Sequence, residues 1–311
     1  MSVSTDLVSV GPTDLARWDP LETILAGSCT PSTIAKYRVS LRLYRAFCDE
    51  RRLDPLDVKS FAAWRDTMAL DTELSPNTIN FRLAGVRKVM AVGAEKDYLP
   101  PATAQAFTLT RGVKARALRD RLKPNARTRI SQADMRRLCN HPDPATLIGL
   151  RDRALLLTMA TSGARISEIV NLKQSDIQRR DKGWIVQVLG KTDVTPRDAP
   201  LGAEAHRAIG QWLERRGIET DIIFTSFAGR GQRPTAKRMD VSSAWRIVSG
   251  HAKELGITDI KPHDFRRFVG TQLARDNARH AQKALGHKSL STTMDNYVLD
   301  DLPDGLTDNL F

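Results

Sequence analysis

The sequence predicts a mainly α-helical protein with a small antiparallel β-sheet, an α+β chain built as two domains. Three observations carry that prediction. The length of 311 residues exceeds one ordinary domain of roughly 100–200 residues. Apolar residues recur at steps of three and four along much of the chain, the period of a helix with one buried face. A β-rich run at residues 184–189 (WIVQVL) faces a second run at 198–201 across the turn-like GKTDVTPR, as in a hairpin.

The elements follow in order. Thr30-Pro31 starts a helix, with proline at an early helical position. Ile34, Tyr37, Leu41, Tyr44 and Cys48 then form one apolar stripe, and Arg38, Arg42 and Arg45 fall on the other side. A second helix is expected over residues 55–68. Ser75-Pro76 opens a third, with Ile79, Leu83, Val86 and Met90 inward and Arg82, Arg87 and Lys88 outward. Such basic stripes are ordinary solvated faces unless something else assigns them a partner. In the second half, Ser131 with Asp134 three residues on resembles a capping box. Helical patterns are expected over 147–159, 203–216, 241–255 and 264–276, and a Gly-interrupted stretch runs from Leu285 to near Tyr297.

Charge divides the chain more sharply than hydropathy does. The whole carries 48 Lys+Arg against 36 Asp+Glu, a net of +12. Residues 1–110 balance to zero, with 13 charges of each sign. Residues 111–129 (RGVKARALRDRLKPNARTR) hold eight basic residues and one acid. Residues 130–294 are net +10, and the last 17 hold five Asp and no basic residue. Segment 111–129 reads as a basic linker suited to a phosphate backbone, through Arg111, Lys114, Arg116, Arg119, Arg121, Lys123, Arg127 and Arg129. Residues 1–11 lack the basic-then-apolar order of a signal peptide, and no run of 18 apolar residues exists, so no membrane partner is expected. Cys29, Cys48 and Cys139 are far apart in sequence, which suits a reducing cytoplasm.

Four segments carry chemistry: TSGARISEIVNL (161–172), VLGKTDVTPRDAPL (188–201), KPHDFRRFVGT (261–271) and LGHKSLSTTMDNYV (285–298). Each residue alone has a bland reading. Arg165 can pair with Glu168 at i,i+3, Lys191 can be an exposed turn lysine, and His263 can cap the next helix. Together they make a reagent set for phosphodiester transfer. Arg165 and Arg266 offer forked donors for phosphate oxygens. His263 and His287 move or donate protons. Lys191 can protonate a leaving oxygen, and Tyr297 can attack phosphorus. There is no carboxylate cluster to hold Mg²⁺ and no GxxxxGK loop ending in Ser or Thr, so neither a metal, a nucleotide nor any other cofactor is expected.

With these four motifs in this order, the chain resembles the tyrosine recombinases of the phage-integrase and Xer type. SGARISEIVNL resembles the family's first arginine box, HDFRR its H-x-x-R box, and LGHKSLSTT its LGH box ahead of the tyrosine. Residues 20–105 resemble the helical core-binding domain more loosely, chiefly in SPNTINFRLAGVRKVM. The resemblance implies an N-terminal extension (1–19), a helical SAM-like core-binding domain (20–110), the basic linker (111–129), a catalytic domain (130–298) and an acidic tail (299–311). It implies that Arg165 and Arg266 grip the scissile phosphate and that Lys191 protonates the 5′-oxygen. It further implies proton handling by His263, phosphate contact by His287, a 3′-phosphotyrosine link at Tyr297, and orientation of Arg165 by Glu168. Three features depart from the family pattern. His287 to Tyr297 is ten residues where nine is usual, with Asn296 at the expected place. Arg267-Phe268-Val269 stands where His-Thr-Phe/Ala is common. Arg233, Lys237 and Arg238 add basic charge outside the motifs.

The implied partner is double-stranded DNA, clamped by both domains, with a dimer on each site and a tetramer in the synapse. The implied place is the cytoplasm, associated with the nucleoid in a bacterium. The role would be integration, excision, inversion or resolution of DNA elements. In the tail, Leu299, Leu302, Leu306, Leu310 and Phe311 fall largely at helical spacing among aspartates, which suits docking on a neighbouring protomer or folding back on its own domain. Two other readings stay open at this point: a type IB topoisomerase-like relaxing enzyme with the same reagents, and a non-catalytic DNA-binding regulator.

Overall fold

A computed structural model of the chain describes residues 24–121, 130–190, 194–229, 233–287 and 289–297, without the side chains of residues 119 and 295–297. It divides into two compact units, Met1–Ala126 and Arg127–Phe311. The fold is mainly helical, with two small antiparallel sheets. Among the described residues no helix is long and apolar enough to cross a membrane.

The first unit holds α1 (Pro31–Arg51), α2 (Val58–Leu70), α3 (Pro76–Glu95) and α4 (Pro101–Leu109), then a 3₁₀ segment, Ala115–Arg121. Their starts are local chemistry. Proline occupies the first turn of α1, α3 and α4, where its missing N–H costs nothing. Ser75 Oγ accepts from the Thr78 N–H (3.3 Å) at the head of α3. The second helix begins at Val58 rather than Pro55 because the Asp57 carboxylate caps it, accepting from the Lys59 N–H (2.9 Å). Pro55 sits in the preceding turn, and its carbonyl accepts from the Tyr44 hydroxyl (3.1 Å). The core is aromatic: Phe61 stacks on Phe107 with centroids 4.8 Å apart, and Tyr44 meets Phe61 edge-on at 5.6 Å.

Two details differ from expectation. Arg87 does not lie on a solvated stripe. Its Nε donates to the Phe107 carbonyl (3.2 Å), its Nη2 donates to the Thr110 carbonyl, and its guanidinium lies 5.7 Å from the Phe61 ring centroid. It caps the C-terminal end of α4, whose last carbonyls have no partner within the helix. Burial and the nearby Arg65 lower its pKa. The start of the expected linker is also docked. Asn80 on α3 accepts from the Val113 N–H (2.8 Å) and donates to the Val113 carbonyl (2.9 Å). A Cβ at Gly112 would stand 2.4 Å from Asn80 Oδ1, so glycine permits that approach.

The second unit begins with α5 (Gln132–Asn140), whose cap is Ser131 Oγ accepting from the Asp134 N–H (3.0 Å). The long α6 (Leu147–Ser162) is buried on all sides and forms the centre of the unit. After α7 (Ile166–Ile169) come β1 (Ile177–Arg180), β2 (Gly183–Val188) and β3 (Arg197–Leu201), an antiparallel sheet in the order β1-β2-β3. The expected hairpin pairs Val186 with Ala199, and β1 adds a third strand by pairing Ile177 with Val186. Helix α8 (Ala203–Arg215) follows, then a second sheet of β4 (Thr225–Ala228) and β5 (Arg233–Arg238). Sequence reasoning missed β1 and this second sheet because IQRR and RPTAKR have no apolar alternation. The chain ends in α9 (Val241–Glu254), α10 (Pro262–Asp276), α11 (Ala278–Leu285) and α12 (Leu290–Tyr297). Trp212, Phe224, Phe265, Leu138 and Leu155 are fully buried in the core.

Candidate active site

The site is assembled from helix ends. Helix α6 stops at Gly163, which takes φ +62° as the left-handed C-cap and faces Leu285 and Val269 so closely that a Cβ would come within 3.0 Å of both. The chain then turns into α7 with Arg165 at its N-cap. Glu168 reaches back across that first turn. Its Oε2 accepts from the Arg165 N–H (2.8 Å) and its Oε1 from Arg165 Nη1 (2.8 Å). The Glu168 side chain is 3% exposed and that of Arg165 is 48% exposed, so a buried carboxylate orients a cation open to solvent.

Glu168 has a second partner that sequence reasoning missed. Arg197, at the start of β3, donates through Nη2 to Glu168 Oε2 (2.7 Å) and through Nη1 to Oε1 (3.3 Å). This fork is the strong geometry for an arginine–carboxylate pair. Burial alone would raise the Glu168 pKa, but hydrogen bonds from Arg197 and Arg165 overcome that and hold it below the usual carboxylate value. Arg197 Nε also donates to the Ala284 carbonyl at the end of α11 (3.2 Å). One side chain thereby links the α7 turn to the loop that carries His287.

That loop opens with Gly286, the left-handed C-cap of α11 at φ +66°, where a Cβ would stand 2.5 Å from Arg197 Cδ. Arg266, inside α10, is 2% exposed. Its Nη1 donates to the Gly163 carbonyl (2.9 Å), and its Nη2 to the Leu285 carbonyl (2.6 Å) and to His287 Nε2 (3.1 Å). An arginine only donates, so His287 Nε2 is an acceptor and the proton of the neutral ring sits on Nδ1. Nδ1 faces Thr293 Oγ1 of α12 at 2.9 Å. Desolvation and then Arg266, Arg165, Arg197 and His263 push the His287 pKa down to about 4. His263 lies in the first turn of α10, which Asp264 caps by accepting from the Lys261 N–H (2.8 Å). Its pKa is lowered by desolvation, Arg267, Arg266 and Arg165, partly offset by Asp264.

The structure thus brings Arg165, Glu168, Arg266, His263 and His287 into one region of the second unit. Tyr297 is the last residue of α12, which packs against α10 and α11 and is tied to His287 through Thr293. Lys191 lies outside the described residues, as do Lys123, Arg127, Arg129, the side chain of Arg119 and the tail from 298 onward. In the first unit Arg38, Arg42, Arg111, Lys114 and Arg116 are exposed, while Arg45, Arg82, Lys88 and Arg121 are half-buried. In the second unit, exposed Arg233, Lys237 and Arg238 lie on β5. The guanidinium groups of Arg165, Arg197 and Arg266 outnumber the carboxylate of Glu168, and both histidines are held toward their neutral forms. Such a region attracts an anion, and its fixed donors favour charge that develops on a bound oxygen.

Comparison with known proteins identifies the family of the chain. The model of the phage integrase family matches residues 128–301, more than half of the chain. Tyrosine recombinase XerD of Pseudomonas aeruginosa is 31% identical over 270 residues, covering 76% of this chain and 82% of that protein. Tyrosine recombinase XerD of Listeria innocua is 35% identical over 170 residues. The match covers 51% of this chain and about half, 54%, of that relative's length. Among solved structures, the Tn1549 transposon integrase in complex with circular intermediate DNA aligns with a TM-score of 0.65 at 16% identity, over 94% of this chain and 97% of that one. A lambda integrase dimer bound to a core site aligns with a TM-score of 0.65 at 15% identity, over 91% and 94%. At these identities the structural likeness is one of fold.

Proposed function

The chain belongs to the phage integrase family, and from that premise we propose that it is a site-specific DNA recombinase that cuts and rejoins duplex DNA through a covalent 3′-phosphotyrosine. Arg165 and Arg266 hold the non-bridging oxygens of the scissile phosphate. The Tyr297 oxygen attacks phosphorus, the bond to the 5′-oxygen breaks, and Lys191 supplies the proton that the departing hydroxyl needs. His263 accepts or returns a proton, and His287 completes the phosphate pocket. A 5′-hydroxyl from a partner strand then attacks the phosphotyrosine and releases Tyr297. The number of phosphodiester bonds is unchanged, so no external energy source enters.

The observation that carries this reading is electrostatic. The arginines that lower the pKa values of His263 and His287 create the potential that would bind a phosphodiester and stabilise a phenolate at neutral pH. The names of the relatives support the same reaction, and a transposon integrase and a lambda integrase share the fold on DNA. By that analogy two protomers occupy each site and four form the synapse. Residues 20–110 and the basic residues of 111–129 serve DNA binding, and residues 130–298 the chemistry. It acts in the cytoplasm, at the nucleoid if the cell is bacterial.

A strand-exchange assay tests the reading. A supercoiled plasmid carrying two copies of the site recovered by selection from random duplexes is incubated with the protein without metal. Recombinant circles are expected. Relaxation without exchange would favour a topoisomerase-like enzyme, and binding with neither would favour a regulator.

A further inference from the structure

The structure places a second cluster of chemistry-bearing side chains away from the phosphate-binding groups, where α5 ends beside the last turn of α9. His141 is the C-cap residue of α5. His251 and Glu254 lie three residues apart in α9, on one face of the helix. His141 Nδ1 is 2.9 Å from His251 Nδ1 and 3.7 Å from Glu254 Oε2, and one ligand atom from each residue falls within 4.8 Å of the others. The two rings meet edge-on, with centroids 5.1 Å apart and planes at 69°, so they converge through nitrogen rather than through their faces.

A second observation points to a cation. His251 Nε2 lies 3.4 Å from Asp152 Oδ2, and Asp152, on α6, has a side chain only 5% exposed. Arg151 Nε and Nη2 hold the other oxygen of that carboxylate at 2.8 and 2.7 Å. A carboxylate behind one ring nitrogen fixes the tautomer and leaves the other nitrogen's lone pair outward, the arrangement that orients metal-binding histidines. With Nε2–H of His251 directed to Asp152, His251 Nδ1 is a bare acceptor. His141 becomes an equal ligand once its own proton moves from Nδ1 to Nε2, with no net change in protonation.

We propose that His141, His251 and Glu254 bind one divalent transition-metal ion, Zn²⁺ by the nitrogen–oxygen donor set. Tetrahedral bonds of about 2.0–2.1 Å place neighbouring ligand atoms about 3.3 Å apart. The observed separations of 2.9 and 3.7 Å bracket that value. Three protein ligands leave a fourth position for water, which suits the exposure of Glu254 (65%) beside half-buried histidines (27% and 19%). The ion would join α5 to α9 and, through Asp152, to α6. It has no part in the phosphodiester chemistry above, which is expected to proceed without metal. Sequence reasoning found no ligand cluster because the two histidines are 110 residues apart.

The test uses the full chain, stripped of metal, titrated with ZnCl₂ against a chromophoric chelator, with Co²⁺ as a spectroscopic substitute. One equivalent of Zn²⁺ is expected to bind, with a melting temperature rise of roughly 5 °C at a hundredfold excess over Kd. The Co²⁺ spectrum is expected to show nitrogen and oxygen ligands without a sulfur charge-transfer band. H141Q and H251Q are expected to weaken binding at least a hundredfold. E254Q changes an exposed side chain and keeps the fold intact, and it is expected to weaken binding about tenfold. Wild-type protein that binds no stoichiometric Zn²⁺, or an E254Q or H141Q protein that binds it as tightly as wild type, would overturn the assignment and leave a plain His–His hydrogen bond.

Discussion

Glu168 illustrates how one buried charge sets the geometry of several neighbours. It is 3% exposed and neutralised by the Arg197 fork and by Arg165, so removing a partner leaves an uncompensated charge in the interior. Breaking a buried pair in this way costs about 3–5 kcal/mol. Arg197→Ala is therefore expected to lower stability by about 3 kcal/mol in a denaturant titration and to slow DNA cleavage at least tenfold, because Glu168, which orients Arg165, loses the fork that fixes it. Unchanged stability would contradict the fork. Arg197 was legible in principle: it stands in phase with buried Ala199 and Leu201 on an alternating strand, and an arginine at an inward position implies a buried partner. His287 makes a different prediction. Its folded pKa, about 4, lies below the unfolded value of about 6.5. The unfolded chain therefore binds the extra proton between these values, and stability falls as pH drops through that window. The fall in urea midpoint from pH 7 to pH 5 is expected to be smaller in His287→Asn than in wild type. Equal slopes would show that burial and the surrounding cations do not hold the ring neutral.

At the scale of elements, the site depends on helices that stop in the right place. Gly286 ends α11 at φ +66° with Arg197 against it. A non-glycine residue in the left-handed region costs about 1–3 kcal/mol, and here a Cβ would also displace Arg197 from Glu168. Gly286→Ala is expected to lower stability by about 2 kcal/mol or more and to reduce cleavage together with it. A variant with wild-type stability and rate would show that the Arg197 contact is dispensable. Elements with strong periodicity or a clear cap were readable from sequence: α1 and α3 from proline and the apolar stripe, α5 from Ser131 and Asp134. The strands of the second sheet were not, because Pro234, Lys237 and the arginines of β5 carry no strand signal. Nor was the docking of Gly112 and Val113 on Asn80, which depends on contacts 33 residues apart. Arg87 shows the limit of helical-wheel reasoning: it was expected on the outward face of α3, but it is half-buried and its guanidinium reaches the end of α4.

At the scale of the molecule, the net charge of +12 is an average over segments of very different charge, and the candidate site residues lie far apart in sequence while meeting in one unit. Arg165, Glu168, Arg266 and His287 were identifiable together because four motifs occur in one order. Their mutual geometry, with Glu168 shared by two arginines and His287 accepting from Arg266, was not, since it rests on helix ends that only the fold brings together. The central claim is that this positive region activates Tyr297 as a nucleophile. The most direct measurement is the capture of a covalent protein–DNA adduct on a nicked suicide duplex, without divalent metal, followed by mass spectrometry of the DNA-linked peptide. The account predicts a 3′-phosphate joined to Tyr297 and no adduct from Tyr297→Phe. An adduct that persists in Tyr297→Phe, or wild-type protein that binds the same duplex and forms none, would contradict it.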